Sequence, residues 1–94
     1  MSDLNFGEAL ELLKDGTRVQ RAGWNGKGMF IYLVPAASYP AQRGAAKRWA
    51  GEDAMIPYGA YLAMKTVDGT VVPWLASQTD ILANDWSIFP GDAA

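Results

Sequence analysis

The chain has 94 residues and half of them are hydrophobic, which is enough to build the core of one small domain spanning residues 1–94. It contains no cysteine and no histidine, which excludes disulfides, thiolate metal sites and the commonest general base of enzymes. The net charge of −2 and the lack of a long apolar run argue against binding of nucleic acid polymers and against a membrane span. No signal-peptide pattern is present at the N-terminus, so we expect a soluble cytoplasmic protein.

The first predicted element is a helix over residues 6–15. Asn5 and Glu8 have the spacing of a capping box, and apolar residues then recur at helical intervals. Gly16 is suited to end the helix in the left-handed conformation. The pattern therefore predicts one amphipathic helix whose apolar stripe covers a sheet.

Strands are predicted over residues 17–21, 29–34, 58–66, 70–74 and 86–89. The second is apolar almost throughout, as expected for a strand with both faces covered. Asp68-Gly69 is a hairpin signal, and Pro73 places the returning strand at a sheet edge. Ser77 or Thr79 is expected to cap a helical turn before the last strand, and residues 90–94 are expected to form a tail. The predicted fold is α+β, with the N-terminal helix packed on a small antiparallel sheet.

A long central excursion over residues 36–57 interrupts this pattern. It is rich in alanine, glycine, proline and charge, and it shows no clear periodicity. Structureless stretches of this length are uncommon in small domains and often functional. Two interpretations stay open: a solvated excursion or short helix, or a basic lip over a binding cleft formed by Arg43, Lys47 and Arg48.

Two segments carry groups that suit a nucleotide-like ligand. The glycine-rich loop after the first strand offers the flat ring of Trp24, the amide of Asn25 and the charge of Lys27, and Trp74 precedes a polar run over residues 77–80. Such a ligand needs rings for a base, hydroxyls and a carboxylate for ribose, and cations for phosphate. The alternatives are a turn in which Trp24 folds onto the core and a polar run that only satisfies its own turn.

Catalysis has little support in the sequence. Asp80 and Asp85 form the best carboxylate pair, but across a short turn they need not face each other, and one of them is better explained as a helix cap or loop anchor. The acidic residues are too scattered for an oxygen-ligand metal loop, and no segment matches a Walker or Rossmann pattern. We therefore expect neither a metal nor a cofactor.

Several motifs resemble those of the Thoeris anti-defence two family of phage proteins: Asn5-Phe-Gly-Glu-Ala-Leu, Arg21-Ala-Gly-Trp-Asn-Gly-Lys-Gly-Met29, Ala63-Met-Lys-Thr66, Pro73-Trp-Leu-Ala-Ser-Gln-Thr-Asp80 and Asp85-Trp86. The resemblance implies a sponge rather than an enzyme, which sequesters glycocyclic ADP-ribose made by bacterial Thoeris TIR proteins without cleaving it. It also implies homotetramers with pockets at subunit interfaces, acting in the cytoplasm of the infected host. Some relatives also capture CBASS cyclic oligonucleotides at separate sites.

Matched position by position, the resemblance assigns ligand contacts to specific residues. Those expected to contact base and sugars are Trp24, Asn25 and Trp74. Those expected to hydrogen-bond ribose or phosphate are Ser77, Thr79 and Asp80. Two further candidates are Arg21, unless it pairs internally, and Lys27, unless it faces solvent.

The central excursion matches the family least, so Arg43, Lys47 and Arg48 form either a second anionic site or none. Two other functions remain as alternatives: an enzyme that degrades the nucleotide, and a virion or regulatory protein whose tryptophans form only a subunit interface.

Overall fold

The computed structural model describes residues 3–24 and 27–92. In that part of the chain the helices are α1 (Phe6–Lys14), α2 (Gly44–Ala50) and α3 (Gln78–Leu82). The strands are β1 (Val19–Arg21), β2 (Phe30–Val34), β3 (Ala37–Pro40), β4 (Met55–Tyr58), β5 (Tyr61–Lys65), β6 (Val71–Pro73) and β7 (Trp86–Ile88). The predicted α+β class, with an N-terminal helix on an antiparallel sheet, is confirmed.

Helix α1 begins at the predicted residue, Phe6, and ends at Lys14, one residue before the predicted end, with Asp15 as its C-cap. The Asn5 side chain accepts a hydrogen bond from the Glu8 backbone N–H at 2.8 Å, and the Glu8 carboxylate accepts one from the Asn5 N–H at 3.0 Å. Gly16 has a φ of 88°, which a residue with a Cβ adopts only with strain. Ala9 and Leu13 are fully buried on the sheet side, so the predicted apolar stripe is confirmed.

The main sheet has the strand order β6-β5-β2-β1-β7, and each neighbouring pair is antiparallel. Val19 lies opposite both Ile31 and Ile88, so β1 is paired on both sides, with β2 and with β7. Val19, Ile31 and Trp86 are fully buried and form the core together with the apolar side of α1. Strand β6 is at an edge, as Pro73 predicted.

The long central excursion is present, but it is not structureless. Val34 pairs with Tyr61, so residues 35–60 are an insertion at the tip of the β2–β5 hairpin, and we call them the arm. Within the arm β3 pairs with β4, and the predicted short helix is present as α2. The strand predicted over residues 58–66 is also wrong at its start, because Tyr58 ends β4 in the arm and β5 begins at Tyr61.

Strand β2 is covered on one face only, which corrects the expectation that both faces are buried. Ile31 is buried beneath α1, whereas Phe30 and Tyr32 point to the opposite side and are partly exposed. These two rings line an open groove of about 380 Å³ together with Arg18 and Lys65. In the single chain the sheet therefore presents one aromatic face to solvent.

Within the predicted tail, residues 90–92 are held to the fold, and residues 93–94 lie outside the described residues. Residues Pro90–Asp92 make a 3-10 turn, and the Asp92 carboxylate accepts hydrogen bonds from the Arg18 Nη2 at 2.6 Å and the Arg18 backbone N–H at 2.8 Å. The Arg18 guanidinium also lies 4.9 Å and 4.8 Å from the ring centroids of Phe30 and Phe89. Among the residues described, no helix has both the length and the apolar character to cross a membrane.

Candidate ligand-binding site

The pairing of β1 with β7 brings the glycine-rich loop beside the segment that carries α3. Arg21 at the end of β1 lies opposite Trp86 at the start of β7. Residues 74–85 return from the β6 edge to the β7 edge, and α3 within this return contacts α1. The two motifs that the sequence singled out, around Trp24 and around Trp74, therefore meet in space.

Arg21 joins two carboxylates from this return, and we call the three side chains the Arg21 network. Its Nη1 donates to Asp80 Oδ1 at 2.7 Å, and its Nε donates to Asp85 Oδ1 at 2.8 Å. The Arg21 side chain is only 12% exposed, so the guanidinium is largely withdrawn from solvent. Of the two alternatives stated for Arg21, internal pairing is the one that the structure contains.

The Asp80 carboxylate is fully occupied by protein donors. Oδ1 accepts from Arg21 and, at 3.4 Å, from the indole N–H of Trp24; Oδ2 accepts from the Ser77 backbone N–H at 3.1 Å and the Ser77 hydroxyl at 2.9 Å. The Ser77 hydroxyl accepts from the Asp80 N–H in return, which confirms Ser77 as the cap of α3. Burial raises the pKa of Asp80, but the hydrogen bonds from Arg21 and Ser77 outweigh it and lower the pKa below the ordinary value.

Asp85 anchors the loop that follows β1. Besides Arg21, its carboxylate accepts the backbone N–H of Gly23 at 2.8 Å. The hydrogen bond from Arg21 and that from Gly23 hold the pKa of Asp85 below its usual range against the opposing effect of burial. The interpretation of one carboxylate as a helix cap or loop anchor thus applies to both, since Asp80 belongs to a cap and Asp85 to a loop.

Three tryptophans and one phenylalanine form an aromatic cluster above the Arg21 network. Trp86 is fully buried, and its ring centroid lies 5.4 Å from that of Trp24 and 6.0 Å from that of Trp74. Trp24 and Trp74 meet edge to face at 6.5 Å and are each partly buried. Phe6 of α1 packs 5.4 Å from Trp86, a contact that the helical spacing of α1 did not reveal because it depends on the long-range register. Each of the outer indoles thus has a packed side and an accessible side.

The remaining candidates lie around this cluster or far from it. Ser77, Thr79 and Lys27 are exposed, and Asn25 lies outside the described residues. The three cations of the predicted second site are exposed on or beside α2, where Lys47 pairs with Glu52 at 3.2 Å. They do not line the groove on the open sheet face. Ligand contact by any of these residues stays a prediction.

The fold and the site define a small α+β protein whose accessible aromatic cluster is backed by an ionic network. A family profile described as Thoeris anti-defense 2-like domain matches residues 4–89. The chain is similar to Thoeris anti-defense 2 of Bacillus phage SP01, with 43% identity over 86 residues that cover 90% of this chain and 93% of the relative. The chain therefore belongs to the Thoeris anti-defence 2 family, a class of phage anti-defence proteins, and the resemblance seen in the sequence is confirmed.

Proposed function

We propose that this protein is a sponge that binds glycocyclic ADP-ribose, the signal of bacterial Thoeris TIR proteins, and withholds it without chemical change. The observation that carries the proposal is the pair of half-buried indoles, Trp24 and Trp74, held edge to face over the Arg21 network. A base stacked on an indole gains about 1–3 kcal/mol, and two rings at an angle can contact a compact cyclic ligand on two sides.

The state of the two carboxylates supports binding without turnover. General acid catalysis at neutral pH needs a group that still carries a proton there. Asp80 and Asp85 both have lowered pKa values because Arg21 and backbone N–H groups bind their ionised forms. Both oxygens of Asp80 accept hydrogen bonds from the protein, and the Ser77 hydroxyl donates to Asp80. Of the three polar residues assigned to ribose or phosphate, the exposed Thr79 is therefore the one whose hydroxyl we propose as a donor to the ligand, with Ser77 and Asp80 beside it.

The proposal includes a homotetramer with pockets between subunits, acting in the cytoplasm of the infected host. Sequestration needs nanomolar affinity, which corresponds to about −12 kcal/mol, and a pocket closed by two chains buries a dinucleotide more completely than one surface does. A second copy can cover the apolar surface next to the site. This surface consists of the accessible sides of Trp24 and Trp74 and of Leu75, which is 92% exposed. Capture of cyclic oligonucleotides through Arg43, Lys47 and Arg48 stays a prediction.

The test is recovery of the ligand. The purified protein is incubated with glycocyclic ADP-ribose, freed of unbound ligand by filtration and then heated, and the released nucleotide is identified by mass spectrometry. We expect unaltered ligand from the wild type and a strong loss of binding in Trp24→Ala and Trp74→Ala. Trp49→Ala is the matched control, because Trp49 is 76% exposed on the arm, and it should bind as the wild type does.

Each alternative has its own outcome in this experiment. Release of a cleaved product would favour a nucleotide-degrading enzyme. No retention by the wild type, together with a changed oligomeric state in Trp24→Ala, would favour a protein whose tryptophans form only a subunit interface. Full retention by both tryptophan variants would refute the site assignment.

A further inference from the structure

The loop that carries Trp24 is fastened on both sides by charged side chains. On the β1 side the Gly23 N–H donates to Asp85 Oδ2 at 2.8 Å. On the β2 side Lys65 Nζ donates to the Gly28 carbonyl at 3.1 Å. Both anchors come from strands or returns far along the chain, so they fix the loop to the body of the fold.

The glycine at the first of these anchors fits closely against it. A Cβ at position 23 would lie 2.9 Å from Asp85 Oδ2 and 3.1 Å from Arg21 Nη2, so a side chain there would displace the carboxylate that binds the backbone. Gly28 has a φ of 76°, a conformation that favours glycine. Gly23 therefore leaves room for the Asp85 carboxylate, and Gly28 allows the backbone conformation at the other anchor.

Trp24 lies between the two anchors and is also tied to the Arg21 network. Its backbone N–H donates to the Arg21 carbonyl at 3.3 Å and its indole N–H to Asp80 at 3.4 Å. These bonds are long, so they alone hold the indole weakly. The short bond from Gly23 to Asp85 is the firmest attachment of the adjacent backbone.

We infer that Asp85 and Lys65 are positioning residues that hold the loop in its binding conformation, an inference that rests on the proposed function. Neither is assigned a ligand contact. Backbone that is already held at Gly23 and Gly28 loses less conformational entropy when the ligand binds, and this difference contributes to the affinity. Loss of either anchor should therefore speed release of the ligand while the site still forms.

The fold offers a matched control for Asp85. Asp92 likewise accepts from an arginine side chain and from a backbone N–H at 2.8 Å, and the two carboxylate side chains are similarly exposed, 30% for Asp85 and 24% for Asp92. Asp92 contacts Arg18 rather than the loop of Trp24. We therefore expect Asp85→Ala and Asp92→Ala to lower the melting temperature by similar amounts. A difference between their ligand dissociation rates then reflects where each carboxylate lies in the fold and not a loss of global stability.

Two measurements test the inference. Amide hydrogen exchange at Gly23 in the ligand-free protein should be about tenfold faster in Asp85→Ala and unchanged in Asp92→Ala, since the Gly23 N–H loses its hydrogen bond to a charged acceptor. Dissociation of glycocyclic ADP-ribose should be about tenfold faster in Asp85→Ala only. Lys65→Met should give the same direction of change, with Lys14→Met, an exposed lysine of α1, as its control.

The outcomes separate the inference from the proposed function. If the wild type does not bind the ligand, the proposed function fails, while the exchange data still decide whether Asp85 anchors the loop. If the wild type binds and Asp85→Ala releases the ligand at the wild-type rate, the positioning role is refuted. Equal acceleration in Asp85→Ala and Asp92→Ala would refute it as well, because lost global stability would then explain the effect.

Discussion

Arg18 immediately precedes β1 and Arg21 ends it, yet each binds an aspartate far along the chain, Asp92 and Asp85, at separations of 74 and 64 positions. Arg18 also lies over two rings, so its charge is shared between an ion pair and cation–π contacts that close the C-terminus onto the sheet. Arg21 instead joins two carboxylates beneath the aromatic cluster. The same residue type therefore secures a terminus in one case and the candidate site in the other.

Ser77 and Thr79 are both candidate ligand contacts, but only Ser77 should also contribute to the stability of the fold. Ser77 caps α3 and donates to Asp80, so Ser77→Ala should lower the free energy of unfolding by about 1 kcal/mol. Thr79 is exposed in the same turn, and Thr79→Ala should stay within about 0.5 kcal/mol of the wild type. Urea unfolding followed by tryptophan fluorescence measures both values. Equal losses in the two variants would contradict the role of Ser77 as the cap.

At the scale of elements, the arm should be dispensable for folding. Among the described residues the core cluster contains none from the arm, and Val34 and Tyr61 already face each other at its base. Replacing residues 35–60 by Asn-Gly should join β2 to β5 through a two-residue hairpin turn. We expect the near-ultraviolet circular dichroism of the tryptophan cluster to persist and the melting temperature to change by only a few degrees, since shortening a loop has a small entropic effect. A variant without a cooperative transition would show that the arm supports the core.

The sequence predicts those elements that are encoded by patterns within a few neighbouring residues. The capping box at Asn5, the Asp68-Gly69 turn and the edge position of Pro73 are short-range patterns, and all are confirmed. Of the two caps considered for α3, the structure contains Ser77. The strands of the arm were missed because β3 and β4 each contain a proline and are mostly exposed, so they lack the alternation of a half-buried strand.

The candidate site was predictable in its parts but not in its connections. The ring and polar residue types around Trp24 and Trp74 indicated a binding surface from sequence. The pairing of Arg21 with Asp80 and Asp85, by contrast, depends on the register of β1 against β7, which no local pattern encodes. For the same reason the sequence indicates that one of Asp80 and Asp85 is a cap or loop anchor, but not which backbone N–H Asp85 binds.

For the molecule as a whole, the charged groups predict a particular dependence of stability on pH. Four aspartates have lowered pKa values in the folded protein: Asp68, Asp80, Asp85 and Asp92. Hydrogen bonds from the side chain of Thr66, and then from Thr70, lower the pKa of Asp68 to about 2. Because these folded-state values lie below the unfolded value of about 3.9, the stabilisation is complete above that pH and is lost as the pH falls toward the folded-state values.

With no histidine in the chain, we expect urea midpoints to be nearly constant from about pH 5 to pH 8 and to fall steadily below about pH 4. Asp92→Asn should make the fall of the urea midpoint below about pH 4 less steep, because the contact of residue 92 with Arg18 then no longer depends on ionisation. Urea unfolding followed by tryptophan fluorescence at a series of pH values measures the midpoints of both proteins. A midpoint that rises on acidification would contradict the assigned directions of the four pKa values.

Assembly is the last property of the whole molecule that the surface allows us to test. Leu75 follows Trp74 directly and is 92% exposed. Leaving a leucine side chain in water costs about 2 kcal/mol relative to burying it, and a second copy that covers the cluster would remove this cost. We expect native mass spectrometry of the wild type to show four copies, and Leu75→Glu to shift the distribution to smaller species and weaken binding of glycocyclic ADP-ribose by at least about tenfold. Trp49→Glu places the same charge on the exposed arm and should change neither. A Leu75→Glu protein that is monomeric but binds with full affinity would locate the whole site within one chain, and a monomeric wild type would remove the tetramer from the proposal.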